Sequence, residues 1–152
     1  MSELVEGVLR LSHYDLSSDS VLSEGIELHD LVNTVMANLE SDAAAKNLSL
    51  QYEAADDLPS LIGNENQLFE LVENLILNSL LYTEQGGVNV KTAVSHNGRF
   101  VELTVQDSGI GIPQDEQAKV FERLYRGTAV SQKQIRGLGL GLSLVKDIVD
   151  LH

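Results

Sequence analysis

The chain contains no cysteine, which removes disulfide frameworks, thiol nucleophiles and zinc–thiolate sites together. Its four histidines nowhere fall at an H-x-x-x-H spacing, so a histidine-built metal cluster is not expected. Aromatic residues are scarce, 5% of 152 positions against 43% hydrophobic. One aliphatic core in a chain of single-domain length follows. No apolar run approaches the ~20 residues that cross a bilayer, and no basic, apolar, small-residue pattern opens the chain as a secretion signal would. The expectation is a soluble domain on the cytosolic side with no direct membrane contact. Positive charge is also short: 10 Lys and Arg face 23 Asp and Glu, a net charge of −13. That balance argues against a nucleic-acid surface, since phosphate binding needs accumulated cations.

The bases that do occur are unevenly spread. Residues 1–65 hold 13 acidic and 2 basic side chains, whereas five bases, Lys119, Arg123, Arg126, Lys133 and Arg136, share one short stretch. That stretch can meet a small anion, or it is a solvated basic loop.

Periodicity supplies the elements. Leu4, Val5, Val8, Leu9 and Leu11 form a stripe that predicts a short amphipathic helix over 1–17, and the Ser- and acid-rich SSDSVLSEG predicts a linker over 18–25 before a domain at 26–152. Leu31, Val32, Val35, Leu39 and Ala43 predict a helix from about His29 to Lys46; Leu48, Leu50 and Tyr52 then alternate as a strand. After a brief apolar Leu61-Ile62, Asn64 is a plausible N-cap for a helix from Glu65 to Tyr82. Val88, Val90 and Val94, then Val101, Leu103 and Val105, predict two strands joined by a hairpin at Asn97-Gly98. A last helix begins close to Gly139, with Leu144, Val145, Ile148, Val149 and Leu151 on its apolar face and Ser143, Lys146, Asp147 and Asp150 on its polar one. This order predicts an α+β two-layer sandwich, an antiparallel or mixed sheet covered on one face by helices, because the hairpin interrupts βαβ winding.

Three segments carry candidate chemistry. Gly137, Gly139 and Gly141 alternate and run into the last helix, offering bare backbone N–H groups and the positive end of a helix dipole to a phosphate chain. A flexible turn with a helix cap reads equally simply. Asp107, Gly109 and Gly111 follow a strand; the carboxylate can accept from an exocyclic amine, or it closes an Asx turn. Glu70, Asn74 and Asn78 share one helix face, which ordinarily means solvent.

In order along the chain, Asn74-Leu75-Ile76-Leu77-Asn78-Ser79-Leu80-Leu81-Tyr82-Thr83, Asp107-x-Gly109-x-Gly111-Ile112, Phe121-Glu122-Arg123-Leu124-Tyr125-Arg126 and Gly137-x-Gly139-x-Gly141-Leu142 resemble the N, G1, F and G2 boxes of sensor histidine kinases, in the wider GHKL superfamily. The resemblance covers roughly residues 26 to 152 and implies the Bergerat ATP-binding fold, with ATP and Mg2+ as ligands. It implies that Asn78 binds magnesium, that Asn74 shares its box, and that Tyr82 lies beside the nucleotide. It further implies that Asp107 accepts from the adenine amino group, with Gly109, Gly111 and Ile112 shaping the pocket. By the same resemblance Arg123 and Arg126 reach the phosphates, and Gly137, Gly139, Gly141 and Leu142 form the hinge and floor of a lid. The opening helix resembles the end of a dimerisation and phosphoacceptor domain.

Some positions depart from the family. Leu81 stands where Lys or Arg is usual, and Leu138 where Thr or Ser is common. Neither His13 nor His29 lies in a phosphoacceptor box, and the family continues past His152 with two glycines and further strand, so the resemblance implies an ATP-binding domain truncated at its C-terminal edge. No catalytic residue is assigned within the chain: the nucleophile is expected on a dimerisation/phosphoacceptor helical hairpin of the parent kinase, with a response regulator downstream. The isolated domain is expected to be a monomer. In related ATPases a Glu at the position of Asn74 activates water, a role Asn cannot fill, so transfer to a protein histidine is favoured over hydrolysis. The opening helix disfavours an anti-sigma-factor serine kinase. Leu81 motivates a different class, a nucleotide-dependent binding module that transfers nothing.

Overall fold

The computed structural model describes residues 23–127 and 139–152. The expected helix over 1–17, and Lys133, Arg136, Gly137 and Leu138, lie outside them. Strand β1 (Ser23–Ile26) leads into helix α1 (Leu28–Ala45), followed by β2 (Ser49–Glu53), β3 (Leu61–Gly63), helix α2 (Glu65–Tyr82), β4 (Gly87–Val94), β5 (Val101–Asp107) and helix α3 (Gly141–Leu151).

β2, β4 and β5 form a mixed sheet in that order. β2 runs parallel to β4 with Leu50 opposite Val88 and Tyr52 opposite Val90. β5 returns antiparallel, Val90 opposite Val105 and Val88 opposite Asp107. Side chains alternate across the sheet, so Leu50, Tyr52, Val88, Val90, Thr92, Leu103 and Val105 share one face. That face meets the helices in a single core with Val32, Val35, Val72, Ile76 and Ile148, each fully buried. The two-layer α+β expectation is met, and the sheet is of the mixed kind.

Each helix buries the stripe its sequence marks. α1 buries Leu28, Leu31, Val32, Val35, Leu39 and Ala43, and α2 buries Leu68, Leu71, Val72, Ile76, Ser79 and Leu80. Asn64 is the N-cap of α2, its side chain accepting from the Gln67 N–H at 3.0 Å. The hairpin turns at Gly98 with φ +69°, where Asn97 Oδ1 accepts from Arg99 N at 3.0 Å.

Two local expectations are corrected. Residues 23–25, expected within a linker, belong to β1, which pairs antiparallel with β3 through Ser23↔Gly63 and Ile26↔Leu61. The register shifts between those pairs around Gly25 at φ +81°; one irregular bridge over a polar sequence leaves no alternation to read. In α3, Ser143 is buried whereas Val149 and Leu151 are exposed. The Ser143 hydroxyl donates to Leu140 O at 2.9 Å, so its polarity is satisfied locally and burial costs little.

Candidate functional site

Helix α2 carries the polar face that the sequence marks, and α3 starts against it. A Cβ placed on Gly141 would stand 3.0 Å from Asn74 Oδ1 and 3.2 Å from the Asn78 amide nitrogen. Asn74 Nδ2 donates to Glu70 O at 2.8 Å, which fixes the amide with its oxygen toward α3. Gly141 therefore lets the first turn of α3 lie on the two asparagines. The N-cap of α3, Leu140, makes no side-chain cap hydrogen bond, so no side chain there competes for the first-turn donors.

The glycine loop docks on the C-terminal end of α2, one turn beyond Asn78. Ile110 N donates to Tyr82 O at 3.2 Å, and a Cβ on Gly109 would meet that same oxygen at 2.5 Å. Only glycine allows this approach. Asp107 continues the inward series of β5, opposite Val88, and its Oδ1 accepts from Gly109 N at 2.9 Å. The Asx turn and the strand-end acid are thus one feature, with one carboxylate oxygen spent on the turn. Gly111 has φ +67° with open space around it; conformation, not crowding, requires glycine there. Ile112 is exposed beside it. Ser108 clamps the loop from below, accepting from Gly87 N at 3.0 Å and donating to Gln85 O at 2.9 Å.

Segment 113–127 closes the third side in a series of turns. A Cβ on Gly139 would lie 2.5 Å from Tyr125 O, and Leu124 N donates to Gly139 O at 2.9 Å. Burial pushes the Tyr82 hydroxyl above the usual tyrosine range, partly offset by the positive charge of Arg126, which places Arg126 in electrostatic reach of the α2 terminus. Arg123 instead pairs with Asp147 of α3 at 3.0 Å. Leu142, partly buried, follows Gly141.

Of the expected site residues, Asn74, Asn78, Tyr82, Asp107, Gly109, Gly139 and Gly141 are brought together along the C-terminal half of α2, with Arg126 near Tyr82. Gly111, Ile112 and Leu142 border them. Arg123 is held on α3, and Gly137 is outside the described residues. Sequence reasoning missed Ser108, Glu116 and Lys46. Glu116 is 8% exposed although ionisable, and its hydrogen bond from Tyr125 contributes to raising that hydroxyl. Lys46 donates to three carbonyls at the end of α2. Its sequence signal was its isolation, one of two bases in residues 1–65.

The chain belongs to the histidine kinase-, DNA gyrase B-, and HSP90-like ATPase family, whose model matches residues 63–152. Among its relatives it is 34% identical over 152 residues to sensor histidine kinase RppB of Synechocystis, covering 100% of this chain and 33% of that one. It is 30% identical to signal transduction histidine-protein kinase BaeS of Escherichia coli, covering 100% and 32%. The chain thus spans about a third of the length of these relatives. It is similar to full-length ShkA in its crystal structure with AMPPNP, at TM-score 0.75 and 25% identity over 88% of this chain and 27% of ShkA. The nucleotide-free catalytic domain of histidine kinase ThkA shares the fold at TM-score 0.71 and 22% identity, over 86% of this chain and 83% of that domain.

Proposed function

We propose that the domain binds Mg-ATP and donates its γ-phosphate to a histidine on a dimerisation and phosphoacceptor helical hairpin of the parent sensor kinase, which then serves a response regulator. The observation that carries the reading is the convergence of the Asn74–Asn78 face, the Asp107–Gly111 loop and the uncapped start of α3 on one helix. Asp107 and Tyr82 take the adenine, with Gly109, Gly111 and Ile112 bounding it. Arg126, Arg123 and the α3 terminus with Gly137, Gly139, Gly141 and Leu142 take the phosphates. The AMPPNP complex of ShkA supports the choice of ligand.

The donor set fits magnesium. Asn78 offers a hard amide oxygen, and among the described residues no group of three or more His, Cys, Asp or Glu stands ready to hold an ion. An ion at Asn78 would draw its remaining oxygens from phosphate and water, as magnesium prefers. When bound it neutralises phosphate charge. The residues of this chain orient the triphosphate; the imidazole nitrogen attacks the γ-phosphorus, the bond to the β–γ bridging oxygen breaks, and ADP departs. Asn74 stands where hydrolytic relatives need a base and cannot act as one, which supports transfer over hydrolysis.

Calorimetric titration with an unhydrolysable ATP analogue tests the site. Native chain should bind in a magnesium-dependent manner, and Asp107→Asn should weaken binding by about tenfold or more, as expected for loss of a charged acceptor. Unchanged affinity in that variant would overturn the adenine assignment. Leu81, exposed at the end of α2 where a base is usual, favours one rival, a binding module that closes on nucleotide without transfer. Single-turnover labelling of a supplied histidine-bearing hairpin separates them, since the module binds and labels nothing.

A further inference from the structure

Among the described residues, Lys46 is a cation that the nucleotide reading does not use and that nevertheless contacts α2. Lys46 occupies the C-cap of α1, and its ammonium crosses to the far end of α2. There it donates to Leu80 O at 2.5 Å, Leu81 O at 3.1 Å and Thr83 O at 3.2 Å. The carbonyl left out of that run, Tyr82 O, accepts instead from Ile110 N at 3.2 Å. Four consecutive carbonyls are therefore divided, three to Lys46 and one to the glycine loop. The last turn of α2 has no basic residue of its own, so Lys46 supplies the charge that complements the negative end of the helix.

We infer that Lys46 is a positioning residue for the adenine end of the site. By fixing the carbonyls on both sides of Tyr82 it sets where Tyr82 O meets Ile110 N, and through that bond where Asp107, Gly109 and Gly111 stand. A lysine suits the task because one ammonium directs three donors from a single point, whereas a planar guanidinium spreads its donors in a fork. Its effect passes through the backbone at the C-terminal end of α2. The magnesium contact at Asn78 is a side-chain amide one turn before Tyr82, and Asn74 lies a turn further back, so neither takes its place from the bond between Tyr82 O and Ile110 N. The ligand named here rests on the proposed nucleotide function; the link from Lys46 to Ile110 does not.

The test uses the full 152-residue chain with Lys46→Met and Lys46→Arg, thermal unfolding confirming that each variant is folded at the working temperature. In Lys46→Met the Ile110 and Gly109 amide resonances should move, and ADP and the unhydrolysable ATP analogue should both bind about tenfold more weakly, the scale of a displaced contact geometry. Because the loss lies at the end both ligands share, the gain in affinity on adding magnesium should be unchanged. A purely stabilising lysine would leave the affinity of the folded variant alone. Lys46→Arg keeps the charge but spreads its donors, so it should recover only part of the affinity that Lys46→Met loses. Either an unmoved Ile110 amide or an unchanged nucleotide affinity in folded Lys46→Met overturns the inference. Should that variant unfold, Lys46→Gln, which keeps one neutral donor, is judged by the same two criteria. Failure of the native chain to bind either nucleotide refutes the nucleotide reading itself, a result separable from a native chain that binds and a variant that binds equally well.

Discussion

Glycines in the loop after β5 look alike in sequence and differ in what they prevent. Gly109→Ala would drive a methyl into Tyr82 O, a backbone atom that cannot swing aside. It should cost roughly 1–3 kcal/mol and abolish nucleotide binding, read by thermal unfolding and titration. Gly111→Ala meets no atom but must hold φ +67°, at a cost of roughly 1 kcal/mol. The Arg123–Asp147 pair makes a third distinction. Both partners are substantially exposed, 62% and 34%, so breaking the pair should shift stability by less than about 1 kcal/mol. If Arg123 serves phosphate, Asp147→Asn releases it and should tighten ATP-analogue binding about two- to fivefold, an effect that salt removes; weaker binding would mean that Asp147 supports the site. Sequence exposed the identity of Asp107 and the glycines, because strand alternation ends there, but a partner 24 residues away such as Asp147 for Arg123 leaves no periodic trace.

Tyrosine ionisation is a second property at the same scale. Tyr125 is raised by burial first, then by the charges of Glu116, Asp115 and Glu122 and its hydrogen bond to Glu116; Tyr82 is raised by burial. A raised phenol keeps its proton in the folded state after the unfolded chain has lost it. The associated stability is therefore complete below the unfolded value of about 10 and drains away as pH climbs through the higher folded value. Tyrosinate absorbance should show Tyr82 and Tyr125 titrating late in the folded protein, with the Tyr82 component lost in Tyr82→Phe.

At the scale of elements, α2 was legible to its last residue. An Asn cap, a three- and four-residue apolar spacing and a turn-rich exit agree on the same limits, and agreement among local signals is what makes a boundary readable. Asn64→Ala should cost about 1 kcal/mol, and Ile76→Ala, at the fully buried centre of the same helix, about 2–5 kcal/mol; denaturant unfolding measures both. β1 was not legible, because a strand held by one partner across a shifted register owes its existence to β3 and carries no alternation of its own. α3 was half legible: its periodicity was right, but which flank of the stripe is buried depends on where α2 lies. Hence Ser143 is inside while Val149 and Leu151 remain outside.

Over the whole molecule, the arrangement follows from one hairpin and one parallel pairing. β4 and β5 are neighbours in sequence and in space, whereas β2 reaches β4 only after β3 and all of α2 have been placed between them. Helices cover the face of Val88, Val90 and Thr92. On the opposite face Glu53 accepts from Asn89 at 2.9 Å and from Lys91 at 3.2 Å. Among the described acids Glu116 is buried, and Arg126 stands near Tyr82. No described helix is long and apolar enough to cross a membrane.

α2 touches α1, α3, β4 and β5, which makes it the element that cannot open while its neighbours stay closed. Its central amides, around Val72 and Ile76, should exchange with solvent deuterium only when the entire domain opens. A ligand held along the polar face of that helix must then slow their exchange by the factor through which it stabilises the folded chain, about 2.7 kcal/mol at a hundredfold excess over Kd. The buried face of α2 is thus an internal gauge of occupancy at a site that its opposite, polar face lines.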